Sequence, residues 1–133
     1  MPAIQTFRDL KVYQAARVES RRLFEASRAF PAAEKYSLTD QVRRSSRAVN
    51  AMIAEAWARR RYQAAFVNKI NEALGEAMET QSWLDHALDC GYLDQAKHRQ
   101  FDAAWQSIGG MLHKMIERAD TFRPKPDSRM AFA

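Results

Sequence analysis

The sequence predicts an all-α fold, an antiparallel up-down-up-down four-helix bundle, and three observations lead there. Apolar residues recur at i, i+3, i+4 and i+7 through four segments, the spacing of a helix with one buried face. The breaks between those segments are short. Four Gly and four Pro in 133 residues are too few for a turn-rich β fold. Helices of about 20–29 residues joined by short loops pack most simply as such a bundle. Removing their stripes from water, at ~25 cal/mol per Å², is what stabilises a chain of one-domain size.

The first helix is expected over about residues 7–28. Thr6 stands at its N-cap position, and Asp9 three residues later completes a capping-box pattern. Leu10, Tyr13, Ala16, Ser20, Leu23, Phe24 and Ser27 share one broad face. Ala29-Phe30-Pro31 ends the helix, because a residue before proline avoids the helical region. The second helix is expected over about 37–60, with Ser37 and Asp40 as its cap signal. Its apolar face is Val42, Val49, Met52, Ile53, Ala56 and Trp57.

The third helix, about 62–90, carries Phe66, Ile70, Ala73, Leu74, Ala77, Gln81, Leu84 and Leu88 along one stripe. Gly91 sits where a left-handed C-cap residue is wanted. Asp94 then caps a fourth helix, about 94–120, whose face is Phe101, Trp105, Ile108, Leu112, Met115, Ile116 and Ala119. Gly109-Gly110 inside that pattern marks close packing or a kink. Residues 121–133 hold two prolines and no periodicity, so a flexible tail is expected.

Hydrophobic residues make up 47% and charged residues 28%, a globular rather than a disordered balance. A single cysteine, Cys90, excludes an internal disulfide and any multi-cysteine metal site. No segment approaches the length of a membrane span, and the N-terminus lacks an apolar signal core. A cytoplasmic protein without a membrane partner is the expectation.

Charge is informative because it is uneven. Residues 1–69 hold 14 Lys+Arg against 6 Asp+Glu, a balance of +8, whereas residues 70–133 hold 7 against 10, a balance of −3. Fifteen of the 21 basic residues are arginine, the side chain suited to bidentate phosphate or carboxylate contacts. A basic half can attract nucleic acid. It can equally meet the acidic half of a neighbouring copy or of its own chain.

No catalytic constellation emerges. A carboxylate-bridged metal pair needs Glu three residues before His. The positions three before His86, His98 and His113 hold Trp83, Gln95 and Gly110. Asp85, His86 and Asp89 read as solvated side chains rather than a metal site. Cys90 falls at a helix C-terminus, away from the positive dipole end that activates a thiol nucleophile, and reads as a small residue packed under the Gly91 turn. There is no glycine-rich phosphate loop and no nucleophile elbow. No enzyme, cofactor or resident metal is expected.

The arginines carry more. At ~100° per residue, Arg47 lies about 40° from Arg43 and Arg61 returns to register. Arg43, Arg47 and Arg61 would therefore form a stripe opposite the core, with Asn50 and Ala54 between them and Arg44, Arg59 and Arg60 flanking. Such a stripe is a solvated face, a phosphate-tracking surface or a docking site for acidic groups. Glu72, Glu76 and Glu79 share a face of the third helix away from its apolar stripe, and Trp83 falls on the same side. A subunit contact is the expectation for these four residues.

The segment Phe7–Ala16, FRDLKVYQAA, resembles the Phe-x-Asp-Leu-x-Val-Trp-x-x-Ala opening of the four-helix-bundle family of 23S rRNA intervening-sequence proteins. Residues Ser37–Arg59, with Gln41-Val42-Arg43-Arg44 and Ile53-Ala54-Glu55, are similar to that family's second-helix motif. Glu79-Thr80-Gln81 through Leu88 to Gly91-Tyr92-Leu93 resembles its third helix and turn. The likeness spans roughly residues 7–118. Where the family often has Ser-Ile-Pro-Ser-Asn and Ile-Ala-Glu-Gly, this chain has Ala48-Val49-Asn50-Ala51-Met52 and Ala56, so a straighter second helix is expected.

The resemblance implies an up-down bundle assembling as a homopentameric ring. It also implies kinship with the basic pentameric accessory proteins of diversity-generating retroelements, which act with a reverse transcriptase and nucleic acid. Two functions follow as expectations. One is sequence-nonspecific binding of RNA or DNA through Arg43, Arg44, Arg47, Arg59, Arg60 and Arg61. The other is an assembly or protein-interaction module whose arginines dock on Glu72, Glu76 and Glu79 of a neighbouring subunit, with no nucleic acid bound.

Overall fold

A computed structural model describes residues 3–124. Four long helices dominate: α1 (Lys11–Ser27), α2 (Asp40–Ala58), α3 (Gln63–Asp89) and α4 (Gln95–Glu117). Each packs against the next in sequence, and α4 closes back on α1 along the thinnest seam. Among the described residues there is no strand. The core is an axial column of fully enclosed side chains, with Leu23 from α1, Ile53 from α2, Phe66, Ile70 and Leu84 from α3, and Trp105, Ile108 and Leu112 from α4. The predicted bundle is the observed one.

The helix starts show where local signals suffice and where they do not. The Thr6–Asp9 capping box forms: Thr6 Oγ1 accepts the Arg8 N–H at 3.2 Å, and the Asp9 carboxylate accepts those of Gln5 and Thr6 at 2.9 and 3.0 Å. These two backbone donors hold the Asp9 carboxyl below its ordinary pKa. The box opens only a 3₁₀ turn, Phe7–Asp9, after which Leu10 (φ −68°, ψ 128°) is extended. That break buries Leu10 and lays the Phe7 ring edge-on against Tyr13 at 4.9 Å. The continuous helix begins at Lys11.

Ser37 is not the cap of α2. The chain is already coiled from Ala32, through a 3₁₀ turn to Glu34 and a π turn over Lys35–Thr39, closed by the Asp40 N–H on the Lys35 carbonyl. The Ser37 hydroxyl donates to Glu34 Oε1 at 2.6 Å. The wider turn seats Leu38 and Thr39 in the core before α2 proper begins.

Gly91 takes φ +77°, a conformation that costs a side-chain-bearing residue, and closes α3 with a Schellman pair. In that pair the Tyr92 N–H reaches the Ala87 carbonyl and the Gly91 N–H that of Leu88. Cys90, expected to pack beneath this turn, is exposed. Asp94 caps α4 by accepting the Lys97 N–H at 2.8 Å. The helix runs unbroken through Gly109-Gly110. A Cβ at Gly109 would lie 3.5 Å from Leu74 Cδ1, so this glycine stands at the contact between α3 and α4.

The first two residues of the expected tail, Thr121 and Phe122, belong to a short 3₁₀ turn (Ala119–Phe122), with Phe122 stacked on Phe66 at 5.4 Å. Residues 125–133 of that tail lie outside the described residues. No described helix is long and apolar enough to cross a membrane.

Polar residues enter the core where helices approach closely. Ser20, Ser27, Ser45, Ser46 and Thr80 are all buried. Their hydroxyls are satisfied: Ser20 donates to the Ser46 carbonyl (3.1 Å), Ser27 to that of Phe24 (2.9 Å), Ser46 to that of Arg43 (3.0 Å), and Ser45 pairs with Thr80 across the α2–α3 seam (2.8 Å). Apolar periodicity alone passed over Ser45, Ser46 and Thr80.

Candidate nucleic-acid interface

The six arginines expected to form one surface fall into three groups. Arg43 and Arg47, one turn apart on α2, face α1. Arg43 is half-buried, donates from Nε to Ser27 Oγ at 2.8 Å, and lays its guanidinium over the Phe24 ring at 4.7 Å. The Arg47 guanidinium lies 5.6 Å from the same ring. Arg44, the next residue along, points instead to α3.

Arg44 is held by Glu76 (Nη2–Oε2 3.2 Å) and by Glu79. The Glu76 hydrogen bond raises the Arg44 pKa further. Burial and the neighbouring Glu76 carboxyl push Glu79 up, while Arg44 pulls it back. About two helical turns along the seam, Lys69 bridges Glu55 (3.1 Å) and Glu72 (2.8 Å). The three glutamates expected to await a neighbouring subunit therefore already have basic partners in their own chain. Trp83, expected on an open face, is half-buried and packs against the core. Its indole N–H is enclosed without an acceptor among the described residues.

The third group sits in a turn. Arg61 does not continue the stripe of Arg43 and Arg47, because α2 ends at Ala58 and the register is lost. Arg60 ends it: Nη1 donates to the Trp57 carbonyl at 2.8 Å, and the guanidinium stacks on the Trp57 ring at 3.9 Å. A cation that satisfies a last carbonyl stabilises a helix terminus without glycine. Arg59 and Arg61 project into solvent on either side.

The α1–α2 seam also holds two arginines that the sequence reading passed over. Arg17 and Arg21, one turn apart on α1, line an open groove of about 330 Å³ with Arg47, Phe24, Asn50 and Tyr13. Asn50 fixes one wall by donating from Nδ2 to the Tyr13 carbonyl at 3.0 Å. No carboxylate lines this groove. Among the described residues, none of the ion pairs involves Arg17, Arg21, Arg43 or Arg47. The signal was available: Arg17/Arg21 and Arg43/Arg47 are both i, i+4 pairs on consecutive antiparallel helices, which must meet across the seam.

Across α3 and α4 the carboxylate of Asp85 meets His98 (Oδ1–Nε2 2.8 Å) rather than the adjacent His86. Asp102 lies near, accepting from Gln81 Nε2 at 3.1 Å. These three side chains are the group among the described residues whose ligand atoms could converge on a cation. Asp85 pairs with His98 and Asp102 with Gln81, two contacts that clasp α3 to α4.

Comparison with known proteins fits this architecture. A crystal structure of a protein of unknown function from the S23 ribosomal protein family of Bacteroides thetaiotaomicron VPI-5482 superposes with a TM-score of 0.72 at 25% identity, covering 80% of this chain and 95% of that one. None of the curated proteins matches the sequence significantly. The profile of the 23S rRNA-intervening sequence proteins matches residues 8–114, which takes in all of α1, α2 and α3 and most of α4. This chain belongs to the 23S rRNA-intervening sequence protein family.

Proposed function

We propose that this protein is a non-enzymatic, cytoplasmic, homo-oligomeric bundle that binds nucleic acid without sequence preference, through the arginine groove between α1 and α2. One observation carries the reading: Arg17, Arg21 and Arg47 converge on a concave surface that no carboxylate lines. Unneutralised guanidinium groups spaced along a groove are what a phosphodiester backbone needs, and they read charge rather than base edges. Phe24 and Asn50 hold the groove walls in place, so the guanidinium groups are partly preorganised. In a pentamer, the assembly implied by the resemblance, five such grooves would bind multivalently.

The competing reading, in which the arginines dock on Glu72, Glu76 and Glu79 of a neighbouring copy, is disfavoured by the pairing of those acids with Lys69 and Arg44. The deciding experiment is fluorescence anisotropy of a labelled 20-mer duplex at about 50 and 200 mM salt, with mass fixed by light scattering in the same buffers. Tight binding that collapses with salt while the oligomer persists is expected. A stable oligomer that ignores the duplex and its separated strands at low salt would sink the proposal.

A further inference from the structure

The turn between α2 and α3 lies at one end of the bundle, apart from the groove. Residues 56–71 contain four basic residues and no Asp or Glu. Lys69 is tied to Glu55 and Glu72, which leaves Arg59, Arg60 and Arg61. The Phe122–Phe66 stack brings a further arginine-bearing segment, Arg118–Arg123, to the same end. In the midst of this charge Tyr62 is 69% exposed, and among the described residues its ring stacks on no other aromatic. The turn is braced: Tyr62 N–H bonds the Arg59 carbonyl at 3.0 Å, and Arg60 is pinned on Trp57.

We infer that this turn is a base-stacking site for single-stranded nucleic acid, with Tyr62 taking the face of an unpaired base and Arg59 and Arg61 the flanking phosphates. In a duplex the base faces are covered by their neighbours, so an outward aromatic ring can contribute only where bases are unpaired. The guanidinium groups supply the sequence-independent attraction that keeps a strand on the ring. The inference rests on the nucleic-acid reading above and assigns it a substrate class, single strands over duplexes. It also gives the chain two separable elements, a groove that reads charge and a turn that reads unpaired bases.

The test is fluorescence anisotropy at about 50 mM salt with a labelled oligo(dT) 12-mer and an abasic deoxyribose-phosphate strand of the same length. The wild-type protein is expected to bind oligo(dT) more tightly than the abasic strand. Tyr62→Ala should weaken oligo(dT) binding by about tenfold, the usual size of one stacking contact, and leave the abasic strand unchanged. Tyr62→Phe, which keeps the ring, should restore wild-type affinity. Circular dichroism of both variants monitors the fold, and Arg17→Glu with Arg21→Glu should weaken both strands alike. Equal wild-type binding of the two strands, or Tyr62→Ala binding both as the wild type does, overturns the stacking site and leaves the groove standing. Failure of the wild type to bind either strand overturns the stacking site, and the groove reading falls with it where the duplex is ignored as well.

Discussion

Arg43 and Arg44 are neighbours in sequence and have opposite surroundings. On the α2–α3 seam Arg44 pairs with Glu76 and Glu79, and Lys69 with Glu55 and Glu72, so both cations are neutralised within the chain and the seam is left acidic. On the α1–α2 seam the Arg43 and Arg47 guanidinium groups lie over Phe24, Arg47 shares a groove with Arg17 and Arg21, and among the described residues none of the four is ion-paired. A step of ~100° around one helix separates the two environments. The net charge of +5 thus understates the positive potential of one face. What a helix presents is set by which helix it faces, and here that divides adjacent arginines into an assembled ion-pair seam and an open cationic groove.

The largest test of this contrast is to reverse the open side. Arg17→Glu, Arg21→Glu and Arg47→Glu together should reduce duplex affinity by at least about 100-fold at low salt. The slope of log K against log salt should become shallower by about 2–3, as three phosphate contacts are lost. Thermal unfolding should shift little, because among the described residues none of the three is ion-paired. A collapse of the fold instead would show that the groove arginines brace the bundle.

A smaller effect is expected on the closed side. Thr80→Val removes a hydroxyl from the buried Ser45–Thr80 pair and should lower unfolding free energy by about 1–2 kcal/mol in a denaturant titration. Nucleic-acid affinity should not change, since the pair lies beneath the seam. Opening that seam electrostatically should do the reverse. Glu76→Gln with Glu79→Gln should cost less than about 1 kcal/mol, because the pairs are largely solvated. It should tighten duplex binding a few-fold by releasing Arg44, and unchanged affinity would mean that the seam points away from the ligand.

The smallest effect lies at the first turn. Asp9 is held below its usual pKa by the Gln5 and Thr6 N–H groups. A lowered folded-state pKa contributes stability that is present above the unfolded value, about 4, and lost as pH falls through the folded one. The protection factors of the Gln5 and Thr6 amides should therefore fall below about pH 4, whereas in Asp9→Asn they should be low already at neutral pH. A first turn whose protection ignores both changes would be held by the Phe7–Tyr13 contact instead.

Legibility followed the range of the forces involved. Gly91, Asp94 and the Thr6–Asp9 box were readable because capping is a matter of three or four consecutive residues. Ser37 misled because Leu38 and Thr39 gain burial by a π turn that begins earlier. Arg61 misled because the Arg60 side chain closes α2 on Trp57, and no local propensity announces that. Glu72, Glu76 and Glu79 were correctly separated from the apolar stripe, but Arg44, which pairs with Glu76 and Glu79, lies on another helix. Trp83 shows the same limit, since packing against the core depends on how α3 is rotated.

The sequence by itself determined the four helices, most of their termini and the apolar column that joins them, because periodicity and capping are local and repeat along the chain. The tertiary structure alone decided which charges cancel and which stay open. Coulomb attraction acts through a few ångströms of space rather than along the chain, so only the packed bundle could place Arg44 against Glu76 and leave Arg17, Arg21 and Arg47 facing one groove.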